Sequence, residues 1–241
     1  EQPFLATREH ARFVEFAEAC AHYRYIGVCH GRPGVGKTRS AREFSSFPDL
    51  GEYAALRPIA ALLGEKVARC RAVFYTVSVS NTPKTIDAVL GLNLIKLGYA
   101  RLTVAGGSQD EITHDAARIA CPLVIVDEAS MVDLPTLYRL LRHLPEGCRL
   151  LLVGDEGQLG PIGFGLTLHA FTGMDWVPKV QLRTIYRQAE GSGIPVVAAA
   201  VRDGRLPDLP VEIGAGHGVV LVATKKDPTA ERLTHLVQRQ A

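Results

Sequence analysis

The sequence predicts an α/β protein with a mostly parallel sheet that is covered by helices on both faces. Short, wholly apolar segments such as LVIV at 123–126 and LLLV at 150–153 are typical of strands buried on both sides. Segments with helical periodicity alternate with these strands, which is the arrangement that a parallel sheet requires. The chain has 241 residues and 47% apolar content, enough to bury the core of one such domain.

The first quarter of the chain gives two helices around the first strand. Thr7 can cap a helix, because the apolar residues after it recur at helical spacing, namely Ala11, Val14, Ala17 and Ala21. Residues 25–30 (YIGVCH) are predicted as a strand that leads directly into a glycine-rich turn. A helix begins at Lys37 after this turn and ends before Pro48.

A second strand and a further helix follow. Residues 72–79 (AVFYTVSV) are rich in β-branched and aromatic side chains, which favours a strand. A proline just inside the cap favours a helix start at 81–83 (NTP). This helix is expected to turn Ile86, Val89 and Leu90 toward the core.

The second half of the chain continues the alternation of strands and helices. Residues 101–108 are predicted as a mobile loop, and residues 108–111 (SQDE) fit a capping box that opens another helix. Asp133 caps a helix that runs through Leu144. The other predicted elements are the strands 123–126, 150–153, 180–182 and 218–222, and the helices around 194–202 and from Asp227 onward.

Composition sets limits on the class of protein. The net charge of +2 permits a nucleic-acid partner without predicting one. No apolar run reaches the roughly 18 residues of a membrane span, so no membrane association is expected. The five cysteines are odd in number and widely spaced, without zinc-ligand spacing, which favours reduced thiols and a cytoplasmic location.

The glycine-rich turn matches the phosphate-binding pattern GxxxxGK[ST] at residues 31–38. Glycines let successive N–H groups face phosphate oxygens, and the helix N-terminus adds positive potential. The lysine is expected to reach the β- and γ-phosphates of a nucleoside triphosphate, and the threonine hydroxyl to bind Mg²⁺. The alternative is a glycine-rich turn with an incidental Lys-Thr pair. The candidate cofactor-binding residues are Gly31, Pro33, Gly34, Val35, Gly36, Lys37, Thr38 and Arg39.

Two acids follow the apolar strand at 123–126. We expect Asp127 to hold Mg²⁺ beside the phosphates, and Glu128 to orient or deprotonate the attacking water. The alternative is an acid-rich helix N-terminus, where carboxylates are common. The presence of the phosphate loop at residues 31–38, earlier in the chain, favours the catalytic interpretation.

Two polar residues extend the candidate catalytic set. Gln158 follows the strand at 150–153, so it lies at the carboxyl edge of the sheet, where it can contact the γ-phosphate or the attacking water. Two arginines, Arg183 and Arg187, follow the strand at 180–182, and one of them can neutralise charge on the transferred phosphoryl group. The alternatives are a surface turn for the first and a solvated arginine for the second.

The segments VIVDEASMVDLPTLYRLL, LLLVGDEGQLGPIGFG and LRTIYRQAEGSGIP resemble motifs II, III and IV of RecD-like superfamily 1 DNA helicases. With the phosphate loop as motif I, the resemblance covers about residues 25–205 and implies a RecA-like P-loop ATPase fold. It implies ATP with Mg²⁺, and single-stranded DNA as the partner. It also implies that Gln158 is the motif III glutamine and Arg187 the motif IV arginine.

The resemblance divides the chain into an N-terminal helix (1–24), a RecA-like ATPase domain (25–205) and a C-terminal extension (206–241). Gly160 stands where the family usually has proline, and no motif Ia is found between Ser40 and Val79. Motifs V and VI belong to a second RecA-like domain, which the residues after Arg205 are too few to build. A single domain is expected to bind nucleotide, hydrolyse it slowly and not translocate.

A second resemblance leaves an alternative open. Residues 7–43 are similar to transposition-type AAA ATPases of the IstB and TnsC kind, which regulate DNA transposition or recombination and oligomerise on duplex DNA. That resemblance implies a homo-oligomer or partner subunit that supplies the missing catalytic arginine. A third hypothesis, a nucleotide-binding scaffold without activity, is disfavoured because Lys37, Asp127 and Glu128 are all intact.

Overall fold

The computed structural model describes residues 4–23, 25–47, 61–77, 86–106, 108, 123–185 and 194–205. The helices are α1 (Arg8–Tyr23), α2 (Lys37–Ser45), α3 (Ala61–Ala68), α4 (Leu92–Val104), α5 (Leu134–His143), α6 (Thr167–Gly173) and α7 (Ile194–Arg202). The strands are β1 (Ile26–Gly31), β2 (Val73–Thr76), β3 (Leu123–Asp127), β4 (Arg149–Gly154) and β5 (Lys179–Leu182). A π-helical turn, Asp87–Gly91, leads into α4, and a 3-10 turn, Ala129–Met131, follows β3.

The five strands form one sheet in the order β2-β3-β4-β1-β5, and every pairing is parallel. The carboxyl ends of all five strands therefore meet at one edge. The register pairs His30 of β1 with Gly154 of β4, and Thr76 of β2 with Asp127 of β3. This topology confirms the predicted α/β fold. Because the strands are parallel, the loops after β1, β3 and β4 come together at one edge, and ligands bind at that edge in parallel sheets.

Helices cover both faces of the sheet, as predicted. Alternate residues along a strand point to opposite faces, so Leu151 and Val153 of β4 pack with α1 and α2, whereas Leu150 and Leu152 pack with α3 to α6. All four side chains are at most 1% exposed. Full burial of an aliphatic side chain stabilises the fold by about 1.5–3 kcal/mol, so these two layers are the main source of stability.

Two thiols lie in the layer formed by α1 and α2. Cys20 of α1 and Cys29 of β1 are fully buried. Burial raises the pKa of both thiols, that of Cys20 to about 12. Gly27 is required opposite Cys20, because a Cβ at this glycine would lie 2.3 Å from the Sγ atom. Gly27 therefore allows α1 to pack closely against β1.

Helix α1 begins as predicted, with the Thr7 hydroxyl accepting a hydrogen bond from the backbone N–H of His10 at 3.1 Å. Its buried face agrees with the predicted position at Ala17, and Val14 and Ala21 pack against the same core partly buried. Phe13, Ala17 and Cys20 enter the core together with Glu9, whereas Ala11 is exposed. The phenyl ring of Phe13 removes more apolar surface from water than alanines do, so it determines which face turns inward.

Further helix ends agree with the sequence. Helix α2 ends at Ser45, before Pro48, and α5 begins at the predicted cap. The Asp133 carboxylate accepts a hydrogen bond from the N–H of Thr136 at 2.7 Å, which satisfies one of the free donors of the first turn.

Two predictions in the α4 region are wrong in part. The predicted loop at 101–108 is helical as far as Val104, because the Arg101 guanidinium donates hydrogen bonds to the carbonyls of Ala68 and Cys70, both at 3.3 Å, and thereby anchors the last turn. Val89 is 42% exposed, although its neighbours Ile86 and Leu90 are buried as predicted. Helices α3 and α6 and the turn Ala129–Met131 are additions that the periodicity did not indicate.

The chain divides into two compact units, Glu1–Ile185 and Tyr186–Ala241. The described part of the second unit contains α7, a predicted helix, which ends with the N–H of Arg205 donating to the carbonyl of Ala200 at 2.8 Å. The domain boundaries at residues 24 and 205 stay predictions. The predicted helix start at 81–83, residues 109–111 of the capping box, the strand 218–222 and the helix from Asp227 lie outside the described residues.

Within the described ranges, we find no helix with both the length and the apolarity needed to cross a membrane.

Candidate nucleotide-binding site

The turn between β1 and α2 has a shape that only glycine accommodates well. Gly34 and Gly36 have φ angles of 85° and 87°, in the left-handed region that L-residues rarely adopt. At Gly31, an added Cβ would lie 2.4 Å from the carbonyl oxygen of Leu182 in β5. The glycines therefore allow the turn to curl tightly while β1 stays paired with β5.

The Lys37 side chain curls back over this turn. Its ammonium donates hydrogen bonds to the carbonyls of Gly31 at 2.6 Å and Arg32 at 2.9 Å. Burial lowers the pKa of Lys37, and the carboxylates of Asp155 and Asp127 act in the opposite direction. The lysine charge thus lies inside the turn and faces acids from two neighbouring strands.

Asp127 ends β3 and is 2% exposed. Burial raises its pKa, whereas a hydrogen bond with the Thr38 side chain lowers it. Its Oδ2 atom is buried and makes no hydrogen bond to any described residue. A buried carboxylate oxygen without a partner is unfavourable unless a cation compensates it, so Asp127 and Thr38 together fit a Mg²⁺ ion.

Glu128 takes a backbone conformation that is rare for its residue type. Its φ and ψ angles are 55° and 38°, and it begins the turn Ala129–Met131. A non-glycine residue in the left-handed region stores about 1–3 kcal/mol of strain, and such residues cluster at functional sites. This conformation turns the chain sharply at the carboxyl edge of the sheet, directly after Asp127.

Asp155 is a site residue that the sequence analysis did not select. It follows β4 as Asp127 ends β3, and it is 2% exposed. Its Oδ1 atom accepts a hydrogen bond from the N–H of Gly157 at 2.9 Å, while its Oδ2 atom is buried and has no partner in the described part of the chain. It is the strongest of the charges that oppose the pKa lowering of Lys37. The signal in the sequence is an acid directly after the apolar run LLLVG, the same pattern that selected Asp127.

The other predicted site residues differ in their exposure and in their contacts. The side chain of Gln158 is exposed, and its N–H donates to the carbonyl of Asp155 at 3.1 Å. Val35 is 1% exposed and packs beneath the turn, whereas Pro33 is exposed. The guanidinium of Arg39 lies 5.8 Å from the centroid of the Phe4 ring. The predicted motif IV arginine, Arg187, lies outside the described residues. The roles assigned to all these residues stay predictions.

The strand, glycine turn and helix, with a lysine inside the turn and acids at the ends of the adjacent strands, define a P-loop nucleotide-binding protein. A family model described as an AAA domain matches residues 14–225. The chain belongs to this family.

Relatives with curated descriptions agree with this assignment. The chain is 29% identical over 170 residues to a potential ATP-binding protein of Staphylococcus aureus, covering 68% of this chain and 59% of the relative. It is 31% identical over 181 residues to the ATP-dependent RecD2 DNA helicase of Deinococcus radiodurans, covering 75% and 22%. It is 29% identical over 225 residues to the RecD subunit of the RecBCD enzyme of Mycolicibacterium smegmatis, covering 88% and 39%. These similarities confirm the resemblance to RecD-like helicases.

The chain spans about three fifths of the first of these relatives and less of the other two. Among solved structures, the Pif1 helicase from Candida albicans is similar with a TM-score of 0.48 and 17% identity, covering 99% of this chain and 56% of that protein. The α/β assignment rests on the parallel strand order described above rather than on this similarity.

Proposed function

We propose that this chain is the ATP-binding and ATP-hydrolysing domain of a RecD-like DNA helicase. It couples ATP hydrolysis to DNA unwinding or translocation when a second domain completes it. The observation that carries the proposal is the buried Asp127 carboxylate, which shares a hydrogen bond with Thr38, faces Lys37 and keeps one oxygen without a partner. A Mg²⁺ ion bound with the triphosphate would supply positive charge beside the Asp127 carboxylate and a contact for its Oδ2 atom.

The phosphate loop binds the triphosphate in two ways. Backbone N–H groups between Gly31 and Lys37 face the phosphate oxygens, and the N-terminus of α2 adds partial positive charge. The Lys37 ammonium already lies inside the turn, bonded to the carbonyls of Gly31 and Arg32. It exchanges these two acceptors for phosphate oxygens when nucleotide binds, so the charge needs little movement to reach its ligand.

Thr38 and Asp127 are the residues that would hold Mg²⁺. Bound magnesium supplies positive charge that neutralises the β- and γ-phosphates. Among the described residues, no group of three or more His, Cys, Asp or Glu is arranged to hold a metal ion. Two protein ligands, with phosphate oxygens and water completing the shell, match the way Mg²⁺ is usually bound in nucleotide sites.

The catalytic roles follow from the position of each residue at the sheet edge. Glu128 orients the attacking water and accepts its proton. Gln158 contacts the γ-phosphate, and Arg187 neutralises charge on the transferred phosphoryl group. A partner subunit or a second copy of the chain supplies an arginine if Arg187 does not reach the site.

The partner that we propose is DNA, in single-stranded form. Support comes from the two RecD-type relatives, one of which is named a DNA helicase. The rate of ATP turnover should rise with single-stranded DNA once the second domain is present. An unchanged rate in a full-length protein would rule out the helicase function. Filaments on duplex DNA in sedimentation experiments with ATP would instead favour the transposition-type regulator.

Glu128→Gln tests the hydrolytic role directly. The substitution keeps the size of the side chain but removes the base, so hydrolysis should fall by about 10²–10⁴-fold while nucleotide affinity is kept. Phosphate release measures hydrolysis, and titration with a fluorescent ATP analogue measures binding. Glu146→Gln, at an exposed acid in the turn before β4, is the matched control. Unchanged turnover in Glu128→Gln would show that another group is the base.

A further inference from the structure

Two histidines hold Glu156, the second residue after β4. The His30 Nδ1 atom lies 3.3 Å from the Glu156 Oε1 atom, and the His169 Nε2 atom lies 2.8 Å from the Glu156 backbone carbonyl oxygen. Carboxylate and carbonyl oxygens only accept hydrogen bonds, so both imidazole nitrogens donate. Glu156 is therefore held through its side chain by one histidine and through its backbone by the other.

The two histidines belong to different elements, and one of them adjoins the phosphate loop. His30 is in β1, directly before Gly31, and pairs in register with Gly154. Its side chain is 12% exposed, against 43% for Glu156, so the strand fixes the imidazole and the imidazole fixes the carboxylate. His169 lies in α6.

The turn that Glu156 belongs to is closed internally by Asp155. The Asp155 side chain accepts a hydrogen bond from Gly157, and the Asp155 carbonyl accepts one from Gln158, at 2.9 and 3.1 Å. These bonds set the shape of the turn but not its position relative to β1. The β1–β4 pairing positions the chain as far as Gly154, and the contacts of His30 and His169 hold Glu156 beyond that point.

We propose that His30 and Glu156 are positioning residues for ATP hydrolysis. Their contact holds the Asp155–Gln158 turn against the end of β1, so that Asp155 keeps facing Lys37. The inference rests on the proposed ATPase function. Loss of the contact leaves the glycine turn and Lys37 intact, so it slows hydrolysis more than it weakens nucleotide binding.

Four variants test the pair by steady-state kinetics. Glu156→Ala and His30→Ala should each lower kcat by about three- to tenfold, the range for a partly exposed charged hydrogen bond, with KM for ATP within about twofold. The double variant should be no slower than the slower single variant, because both remove the same contact. His30→Asn should restore at least half of kcat, because the Asn amide nitrogen is as many bonds from the backbone as Nδ1.

The matched control is Glu65→Ala, which removes an exposed acid paired with Arg69 at 3.4 Å on α3. It should leave kcat and KM unchanged. Additive effects in the double variant, or equal losses in kcat and in nucleotide affinity, would overturn the positioning role.

Hydrogen exchange separates this inference from the proposed function. Peptides that cover residues 155–160 should exchange faster in Glu156→Ala and His30→Ala than in the wild type, return toward the wild-type rate in His30→Asn, and not change in Glu65→Ala. Hydrogen exchange is measured without turnover. A wild-type chain without ATPase activity would therefore contradict the proposed function, while the positioning of the turn by His30 and Glu156 could still be tested. Identical exchange rates in Glu156→Ala and the wild type would show that the contact between His30 and Glu156 does not hold the turn in place.

Discussion

Two carboxylates are buried to nearly the same extent in this protein, but they differ in how many of their oxygen atoms have hydrogen-bond partners. Glu9 of α1 and Asp127 of β3 are 3% and 2% exposed. Glu9 accepts hydrogen bonds from the N–H of Arg183 at 3.1 Å, the hydroxyl of Thr184 at 3.0 Å and the guanidinium of Arg12 at 3.2 Å. Asp127 shares a hydrogen bond with a side chain and leaves its Oδ2 atom without a partner among the described residues.

The pKa values of the two groups diverge accordingly. Burial raises the pKa at both positions. At Glu9 the hydrogen bonds from Arg183 and Thr184 outweigh burial, and its pKa is lowered. At Asp127 burial dominates, and its pKa is raised. Burial alone therefore does not mark a functional acid. An acid whose contacts are complete ties elements together, as Glu9 ties α1 to the segment after β5, whereas an incomplete one points to a ligand.

The largest effect is expected from removing the cation that faces Asp127. Lys37→Ala leaves the acids and the triphosphate without a compensating charge, so nucleotide affinity should fall by about 10²–10³-fold, the equivalent of about 3–4 kcal/mol. Fluorescent-nucleotide titration measures the loss. Lys179→Ala is a matched control, because the Lys179 ammonium also donates to two backbone carbonyls, those of Thr172 and Met174. Equal losses in both variants would mean that the lysine in the turn has no special role.

Asp127→Asn should separate stability from activity. The amide removes a buried charge that burial disfavours, so the free energy of unfolding without nucleotide should rise. Magnesium-dependent turnover should fall by about 10²-fold or more, because the proposed ligand loses its charge. Chemical denaturation and phosphate release measure the two quantities. A variant that is less stable than the wild type would show that Asp127 stabilises the fold as Glu9 does.

Glu9→Gln should have the opposite profile. The amide keeps one acceptor oxygen but loses the charge and one acceptor site, so the free energy of unfolding should fall by about 1–3 kcal/mol. Chemical denaturation measures the loss. Glu65→Gln, at a side chain that is 56% exposed, should change stability by less than about 0.5 kcal/mol. If the two variants lose the same stability, the buried contacts of Glu9 contribute nothing beyond those of a surface pair.

The pH dependence of stability sharpens the same comparison. The pKa of Glu9 is lowered in the folded state, so its contribution is present above its ordinary value of 4.5 and is lost as the pH falls through the folded value. The pKa of Asp127 is raised, so protonation of this group favours the folded state as the pH falls. The stability deficit of Glu9→Gln and the gain of Asp127→Asn should therefore both shrink toward acid pH. Denaturation curves between about pH 7 and pH 3 measure this, and a pH-independent difference would contradict it.

Sequence patterns predicted the elements that are buried on both sides or capped by a polar side chain. The apolar runs before Asp127 and Asp155 are strands within one or two residues of the predicted ends, and Thr7 and Asp133 cap helices as expected. These signals are local, since a cap or a strand depends on residues within a few positions. The P-loop and the acid after the strand at 123–126 were identified for the same reason.

Long-range contacts account for what the sequence did not predict. Glu9 carries no local signal in the sequence, because its partners Arg183 and Thr184 are more than 170 residues away. Arg101 extends α4 through contacts with the carbonyls of Ala68 and Cys70, which no periodicity encodes. Asp155 is an exception, because the acid directly after LLLVG is a local signal, whereas the predicted residue of that loop, Gln158, is exposed.

Alkylation of the two buried thiols, Cys20 and Cys29, reports when the layer formed by α1 and α2 opens. Only the thiolate reacts with alkylating reagents, and Cys29 is fully buried in β1 immediately beneath the phosphate loop. Both thiols lie in the layer between the sheet and helices α1 and α2, so modification of either one requires this layer to open. The labelling rates of the two thiols therefore measure opening of this layer without any engineered probe.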